Sequence, residues 1–189
     1  ELLSFWADNG FSTIHLSTTR NDASGEHSAI MLHATSERGR DLLDRHAADF
    51  SGRIEGALSD ALSDVDPDVV RGALRAAEGP VDPDLSASDW RRVARAAFGP
   101  GLIDVDPGPF RTLSRAHLID PSDPDLLSAR AERLLVAKVL QSRGWTGVAE
   151  ELGYASRRQC ARAVGEAFRS LVDAYGSEAA REEADRFRE

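Results

Sequence analysis

The sequence predicts an α+β protein in which a helix and two strands, a short sheet, precede an all-helical region with a helix-turn-helix-like unit. Two runs with the composition of strands, FSTIHLS and HSAIMLHA, lie within the first 36 residues. From residue 37 onward, apolar residues recur at intervals of three and four, the period of an amphipathic helix. Residues 145–168 have the spacing of two helices joined by a tight turn.

The first element is a short apolar helix. Apolar residues cluster in ELLSFWADNGF, and the pair Asn9-Gly10 is typical of a helix end. We expect this helix over residues 1–8 and strands near 11–17 and 28–34, with the polar loop TRNDASGE between the strands. Such an incomplete sheet needs helices or a second chain over its edges to avoid aggregation.

Helix starts are marked by capping residues in the second part of the chain. Asp-Pro pairs at 66–67 and 123–124 place a capping carboxylate before a proline of the first turn, and Ser86 with Asp89 forms a predicted capping box. We expect seven or eight helices after residue 36. Phrases rich in Asp and Pro suggest a helical support region at 37–125 between an N-terminal unit, 1–36, and a C-terminal helical region, 126–189.

The most specific local pattern is WTGVAEELGYASRRQCARAVGEAF, residues 145–168. Gly153 can adopt the left-handed conformation that a tight turn between helices requires. Ser156 can cap the second helix, and Gln159 lies three residues later, as in a capping box. The spacing is also similar to the helix-turn-helix of AraC-type regulators.

Three arginines share one face of the second helix. At 100° per residue, Arg158, Arg162 and Arg169 fall within about 40° of one another, so three guanidinium groups are available to phosphates. The alternative is a solvated amphipathic face, which the nearby Glu166 favours. A second set of basic residues lies on the preceding helix, at 130–138.

The composition limits the class of protein. Formal net charge is −9, but residues 1–125 carry −10 and residues 126–189 carry +1, so a polyanion would meet the C-terminal third. No apolar run reaches the ~20 residues of a membrane span, and we expect a cytoplasmic protein without a membrane partner. Cys160 is the single cysteine and fits a small core residue, and no histidine has metal-ligand spacing with it, so no metal is expected.

The N-terminal segment resembles the end of the acetyltransferase domain of the tRNA(Met) cytidine acetyltransferases. The resemblance rests on FW, NGF and LSTTRNDASGEHSAIML in this order, and AERLLVAKVLQSRGWTGVAEELGYASRRQC is similar to the C-terminal RNA-binding region of the same family. It covers essentially the whole chain. It implies that the sheet is the remnant of a GNAT acetyltransferase fold, and that the chain is the C-terminal part of a larger enzyme.

That enzyme would use acetyl-CoA and ATP to form 4-acetylcytidine in tRNA(Met) or another structured RNA. The sequence contains neither the GxxxxGK[ST] loop that cradles ATP phosphates nor the Q-x-x-G-x-G/A turn that binds pyrophosphate in acetyltransferases. We therefore expect both to lie upstream of Glu1, in the remainder of the same polypeptide, and we expect these 189 residues alone to be inactive.

The loop before the second strand carries the candidate catalytic residues. When the cytosine amine attacks a thioester, the adduct must lose a proton, and His27 suits a proton relay that Glu26 could orient. The alternative is a plain turn in which Glu26 is solvated and His27 merely starts the strand. The resemblance assigns acetyl-CoA contacts to Glu1 and to the position of Asp8, where the family has a basic residue. Trp6 replaces the tyrosine that protonates the thiolate in many relatives, and an indole cannot do so.

Two classes of function remain open from the sequence. One is the C-terminal part of an RNA cytidine acetyltransferase. The other is a non-catalytic nucleic-acid-binding or regulatory protein with a helix-turn-helix, although a net charge of −9 disfavours a free-standing duplex binder.

Overall fold

The computed structural model describes residues 2–79, 82–99 and 103–188, and it confirms the α+β prediction. Helix α1 (Leu2–Asp8) precedes strands β1 (Ser12–Arg20) and β2 (His27–Leu32). Within the described residues, the later helices are α2 (Glu37–Leu58), α3 (Pro67–Arg75), α4 (Ala87–Phe98), α5 (Gly108–Ile119), α6 (Ala129–Leu134), α7 (Trp145–Glu151), α8 (Arg157–Tyr175) and α9 (Glu178–Asp185). A π-helical segment, Leu135–Leu140, continues α6. None of the described helices is long and apolar enough to cross a membrane.

The two strands form an antiparallel pair, with Ser12 opposite Leu32 and Arg20 opposite His27. The predicted helix end is confirmed, because Gly10 has φ +80° between α1 and β1. The edge of β1 that does not pair with β2 is covered by helices. There, Thr13 donates its N–H to the carbonyl of Ala76, at the end of α3, at 2.7 Å. The other edge of β2 has no strand beside it in the described part of the chain.

The predicted caps fold as expected at two of three places. The Asp66 carboxylate accepts the N–H of Asp68, and Ser86 and Asp89 form a reciprocal capping box. The third prediction, a helix starting at residues 123–124, is wrong. The Asp123 carboxylate instead accepts the N–H of Asp125 at 2.9 Å in a local turn, and α6 begins at Ala129 with the Ser128 hydroxyl as its cap.

Two hydrophobic cores share helix α5 and the π-helical segment that continues α6. The first core joins α4 and α5 to α6, α7, α8 and α9, while the second lies between β1, α2 and α3. Leu135 and Val139 of the π-helical segment pack into the first core, whereas Val136 and Leu140 pack into the second. This explains why the segment LLVAKVL has no polar face: it is buried on all sides.

A buried carboxylate lies at the junction of these cores. Glu132 of α6 is 1% exposed and accepts hydrogen bonds from Arg71 and Arg75 of α3. His117 Nε2 of α5 lies 3.6 Å from the same carboxylate. Burial alone would raise the pKa of Glu132, but the nearby His117 ring and the hydrogen bonds from Arg71 and Arg75 outweigh it and lower the pKa from 4.5 to about 2. Glu132 is therefore ionised in the core and holds three helices together.

We predict that Glu132→Gln destabilises the fold by about 3 kcal/mol, because it leaves the arginines of a buried ion pair without their partner. The matched control is Glu151→Gln, an exposed partner of Arg143, which should cost less than about 1 kcal/mol. Urea unfolding of both variants measures the difference. Equal losses for the two would show that the buried pair does not stabilise the fold.

The same carboxylate predicts a pH dependence. Since its pKa is lower in the folded state, its contribution is complete above pH 4.5 and is lost as the pH falls to about 2. The free energy of unfolding of the wild type should therefore approach that of Glu132→Gln across this interval. A constant difference between the two proteins would contradict the assignment.

Candidate functional site

The largest described cavity lies between α1, β2 and α3 and has a volume of about 710 Å³. Trp6 and Met31 contribute to mostly apolar walls, and Val69 closes the side formed by α3. Trp6 lines this cleft and is 40% exposed, so it is not a core residue. A cavity of this size with few polar groups suits a small organic ligand or a cofactor arm.

His27 supplies a polar group to this cavity, and its ring has a defined tautomer. Its Nδ1 lies 2.8 Å from the backbone carbonyl of Ser17 on the paired strand. Because a carbonyl can only accept, Nδ1 carries the hydrogen and Nε2 presents a lone pair. That Nε2 is buried and has no hydrogen-bond partner among the described residues. A buried nitrogen without a partner can accept a proton from a ligand that reaches it.

A tight turn delivers His27 to this position. The side chain of Asn21 accepts the N–H groups of Ala23 and Ser24 at 2.8 and 3.1 Å, and Gly25 adopts φ +70°. The Gly25 N–H then donates to the Asn21 carbonyl. The expected turn is therefore present, and it ends where β2 begins.

Arg20 braces this turn, a role that the sequence alone did not suggest. Its guanidinium donates to the Gly25 carbonyl at 2.9 Å and pairs with Asp64 at 2.8 Å. Asp64 lies far along the chain in the segment before α3, so no local pattern indicates the contact. Both side chains are exposed, and the pair is a weak brace.

The other residues that the sequence predicted for this cleft are not found among the described residues of the cavity wall. Glu26 is exposed and is not part of the cavity wall, although it precedes His27 directly. Asp8 is exposed at the end of α1 and does not line the cavity either. Glu1 lies outside the described residues. The roles of Glu26, Asp8 and Glu1 stay predictions.

Helix α3 completes the cavity, which sequence reasoning missed. Asp68 lines it, and Gly72 lies beside Leu3 of α1, where an added Cβ would make an ordinary van der Waals contact of 3.5 Å with the Leu3 side chain. The Arg133 guanidinium and then that of Arg71 lower the pKa of Asp68, so its carboxylate is ionised. These residues are far apart in sequence and carry no motif.

The cavity opens beside an exposed apolar surface. Leu2 is 70% exposed and Phe5 56%, and no residue of α1 is buried. Ile30 on β2 is 51% exposed. Exposed apolar side chains next to an open strand edge are typical of a docking face.

The helix-turn-helix unit forms as predicted. Gly153 has φ +68° between α7 and α8, and Val148 and Ala149 of α7 are buried. The Ser156 hydroxyl caps α8 by accepting the Gln159 N–H. The second half of the capping box is shifted by one residue, because the Gln159 side chain accepts the N–H of Ala155 rather than that of Ser156.

The arginine face of α8 is exposed but not uniform. Arg158 and Arg162 make no ion pair or hydrogen bond with any described residue. Arg169, also exposed, donates its Nε hydrogen to the Ala97 carbonyl at 2.7 Å and lies over the Phe98 ring.

The basic residues of the preceding helical segment are mostly engaged in pairs. Arg133 pairs with Asp68 at 2.8 Å. Lys138 is 9% exposed and pairs with Asp104 at 2.9 Å, with the Trp145 ring beside its ammonium group. Arg130 differs from both, since it contacts an aromatic ring instead of a carboxylate.

The sequence of this chain is similar to known proteins over its whole length. The model of the family GNAT acetyltransferase 2 matches residues 1–36. The chain is 55% identical over 188 residues to the tRNA(Met) cytidine acetyltransferase TmcA of Haloferax volcanii, covering 100% of the chain and 25% of that relative. It is 48% identical to the TmcA of Haloarcula marismortui, over 98% of the chain and 24% of the relative, and 35% identical to that of Nitrosococcus halophilus, over 98% and 25%. The chain thus spans about a quarter of the length of these relatives.

Proposed function

Since the chain belongs to the tRNA(Met) cytidine acetyltransferase family, we propose that in the full-length protein it forms one wall of an acetyl-transfer cleft and a docking surface for RNA. The substrates of this proposed activity are acetyl-CoA and a cytidine of tRNA(Met) or another structured RNA. The observation that carries the proposal is that His27 lines an apolar cavity and has a buried Nε2 without a hydrogen-bond partner among the described residues. The alternative of a non-catalytic regulator is disfavoured, because similarity to the named acetyltransferases extends over the helix-turn-helix as well.

The cavity has the character that an acetyl thioester requires. Its walls are mainly apolar, which suits the pantetheine arm and the acetyl group, and the unpaired His27 nitrogen is a polar group without a partner of its own. Acetyl-CoA supplies the acetyl group: a bond forms between the cytosine amine and the carbonyl carbon, the carbon–sulfur bond breaks, the amine loses a proton and the thiolate gains one.

His27 handles the proton in this scheme. Its Nε2 lone pair takes the proton that leaves the amine. Nδ1 keeps its hydrogen and donates it to the Ser17 carbonyl, which stabilises the resulting imidazolium. The proton can then pass to the thiolate. Trp6 keeps the site dry by closing its side and has no part in the proton transfer. Glu26 could assist only after its side chain turns toward the cleft.

The open sheet edge supports a second part of the proposal. We assign the exposed edge of β2 and the apolar residues of α1 to contact with the rest of the acetyltransferase domain. Burying that surface would also close the cavity on its open side. No step on this chain involves ATP, because the sequence has no glycine-rich phosphate loop.

Replacing His27 tests the catalytic assignment. In the full-length enzyme, His27→Ala should lower the rate of acetyl transfer to tRNA(Met) by about 100-fold, the lower range for general acid-base catalysis, with little change in RNA affinity. Acetylcytidine is measured by mass spectrometry of digested tRNA after single turnovers. The control is His46→Ala, at an exposed histidine of α2, which should retain the wild-type rate. Unchanged turnover in His27→Ala would contradict the catalytic assignment and leave His27 with a structural role at the end of the turn.

A salt series tests the docking surface of α8. If Arg158, Arg162 and Arg169 contact phosphates, the triple Arg→Gln variant should flatten the dependence of log affinity on log salt by roughly two units, at ~0.7 per contact. The double variant of Arg158 and Arg162 should account for about 1.4 of these units. Arg38→Gln, at an exposed position of α2, is the control for the change of charge. Slopes equal to that of the wild type would exclude this face.

A further inference from the structure

Arg130 is held by an aromatic ring. It lies exposed in the first turn of α6, and its guanidinium carbon is 4.0 Å from the centre of the Tyr154 ring. Arginines elsewhere in the C-terminal third, such as Arg133, Arg143 and Arg188, pair with carboxylates that occupy their N–H groups. Arg130 makes no such pair with any described residue, so its N–H edge and its outer face are free.

Tyr154 is a rigid support for this arginine. It comes directly after Gly153 in the turn between α7 and α8, where its N–H donates to the Ala149 carbonyl at 2.7 Å, and its half-buried ring packs on the first core. Burial raises the pKa of Tyr154, more than the neighbouring charge of Arg130 lowers it. The phenol is therefore neutral, and the ring face, not a phenolate, attracts the guanidinium.

This pair lies next to the arginine face of α8. Tyr154 precedes the Ser156 cap by two residues, and the first two turns after that cap carry Arg158 and Arg162. The local surface thus combines a planar cation stacked on a ring with two guanidinium groups that have no partners among the described residues. Aromatic and guanidinium planes stack on unpaired bases, while additional arginines contact the backbone.

We propose that Arg130 and Tyr154 form a stacking platform for an unpaired base of the RNA substrate, with Arg158 and Arg162 holding the phosphates beside it. The proposal rests on the proposed function, which makes an RNA the substrate. An acidic peptide would satisfy the charges but would make no use of the planar stack. A fully paired duplex could not use it either, because its bases are stacked on one another.

The platform predicts a specific change on substitution of Arg130 by Lys, which keeps the charge and removes the plane. In the full-length protein, Arg130→Lys should weaken binding of tRNA(Met) by roughly 5-fold or more, at the lower end of the stacking contribution for one base. Affinity for a fully paired RNA duplex of about 20 base pairs, longer than one double-strand binding site, should not change. The salt slope should also be that of the wild type, because no phosphate contact is lost.

Two variants of Tyr154 complete the experiment. Tyr154→Leu should reproduce the loss seen with Arg130→Lys, whereas Tyr154→Phe keeps the ring and should bind tRNA(Met) like the wild type. Arg130 is exposed, so Arg130→Lys tests the idea even if Tyr154→Leu does not fold, and thermal melting identifies such a failure. Arg38→Gln again controls for surface charge.

Two outcomes would overturn the platform: unchanged tRNA affinity in Arg130→Lys, or an equal loss of affinity for tRNA and for the duplex. The experiment distinguishes failure of the platform from failure of the proposed function. Acetyl transfer by the wild type, and by Arg130→Lys at saturating tRNA, would support the acetyltransferase assignment even if Arg130 made no contact with a base. A wild-type enzyme that binds RNA through this face without acetylating it would remove the assignment and leave the platform.

Discussion

The buried carboxylate of Glu132 fixes how the helices of this protein are arranged. An ionised group inside a core is stable only when polar partners surround it. Here α3 provides the donors Arg71 and Arg75, and α5 places His117 Nε2 3.6 Å from the carboxylate. His117 also contacts the Tyr175 hydroxyl at 3.0 Å, near the end of α8. Elements that apolar packing alone would allow to slide are therefore held in one register. The π-helical segment that continues α6 adds to this, because its side chains belong to both cores at once.

The candidate cleft depends on the same cluster of charges. Arg71 donates to both Glu132 and Asp68, and Arg133 holds the other side of Asp68. Through these contacts the core fixes α3 at the wall of the cavity, while Arg130 of the same short helix reaches the turn of the helix-turn-helix unit. Helix α6 thus connects the cleft with the surface proposed to bind RNA. This arrangement makes the helical region part of the site, although the family model matches residues 1–36 alone.

Local signals in the sequence predicted local structure well. The two strands, the helix end at Gly10, the capping box of Ser86 and the turn at Gly153 all depend on residues within a few positions of one another. The cap predicted at Asp123 failed for a related reason: an Asp side chain stabilises a turn by the same hydrogen bond with which it caps a helix, and the next few residues of the chain decide between the two. Asp68 and Arg20 could not be assigned, because their partners lie 65 and 44 residues away. Lys138 belongs to the basic set predicted on the helix before the helix-turn-helix unit, but in the structure it is buried beside Asp104.

The two interpretations of the loop before β2 turn out to depend on one another. A structural turn built from Asn21 and Gly25 sets where β2 begins, and the pairing of β2 with β1 brings His27 to the Ser17 carbonyl. That hydrogen bond fixes the hydrogen on Nδ1 and leaves Nε2 with a lone pair and no partner among the described residues. A histidine on a flexible loop would have neither a fixed tautomer nor an unpaired buried nitrogen. The turn is therefore the physical basis of the proton-transfer role proposed for His27, and a purely structural loop and a catalytic one need the same residues in the same places.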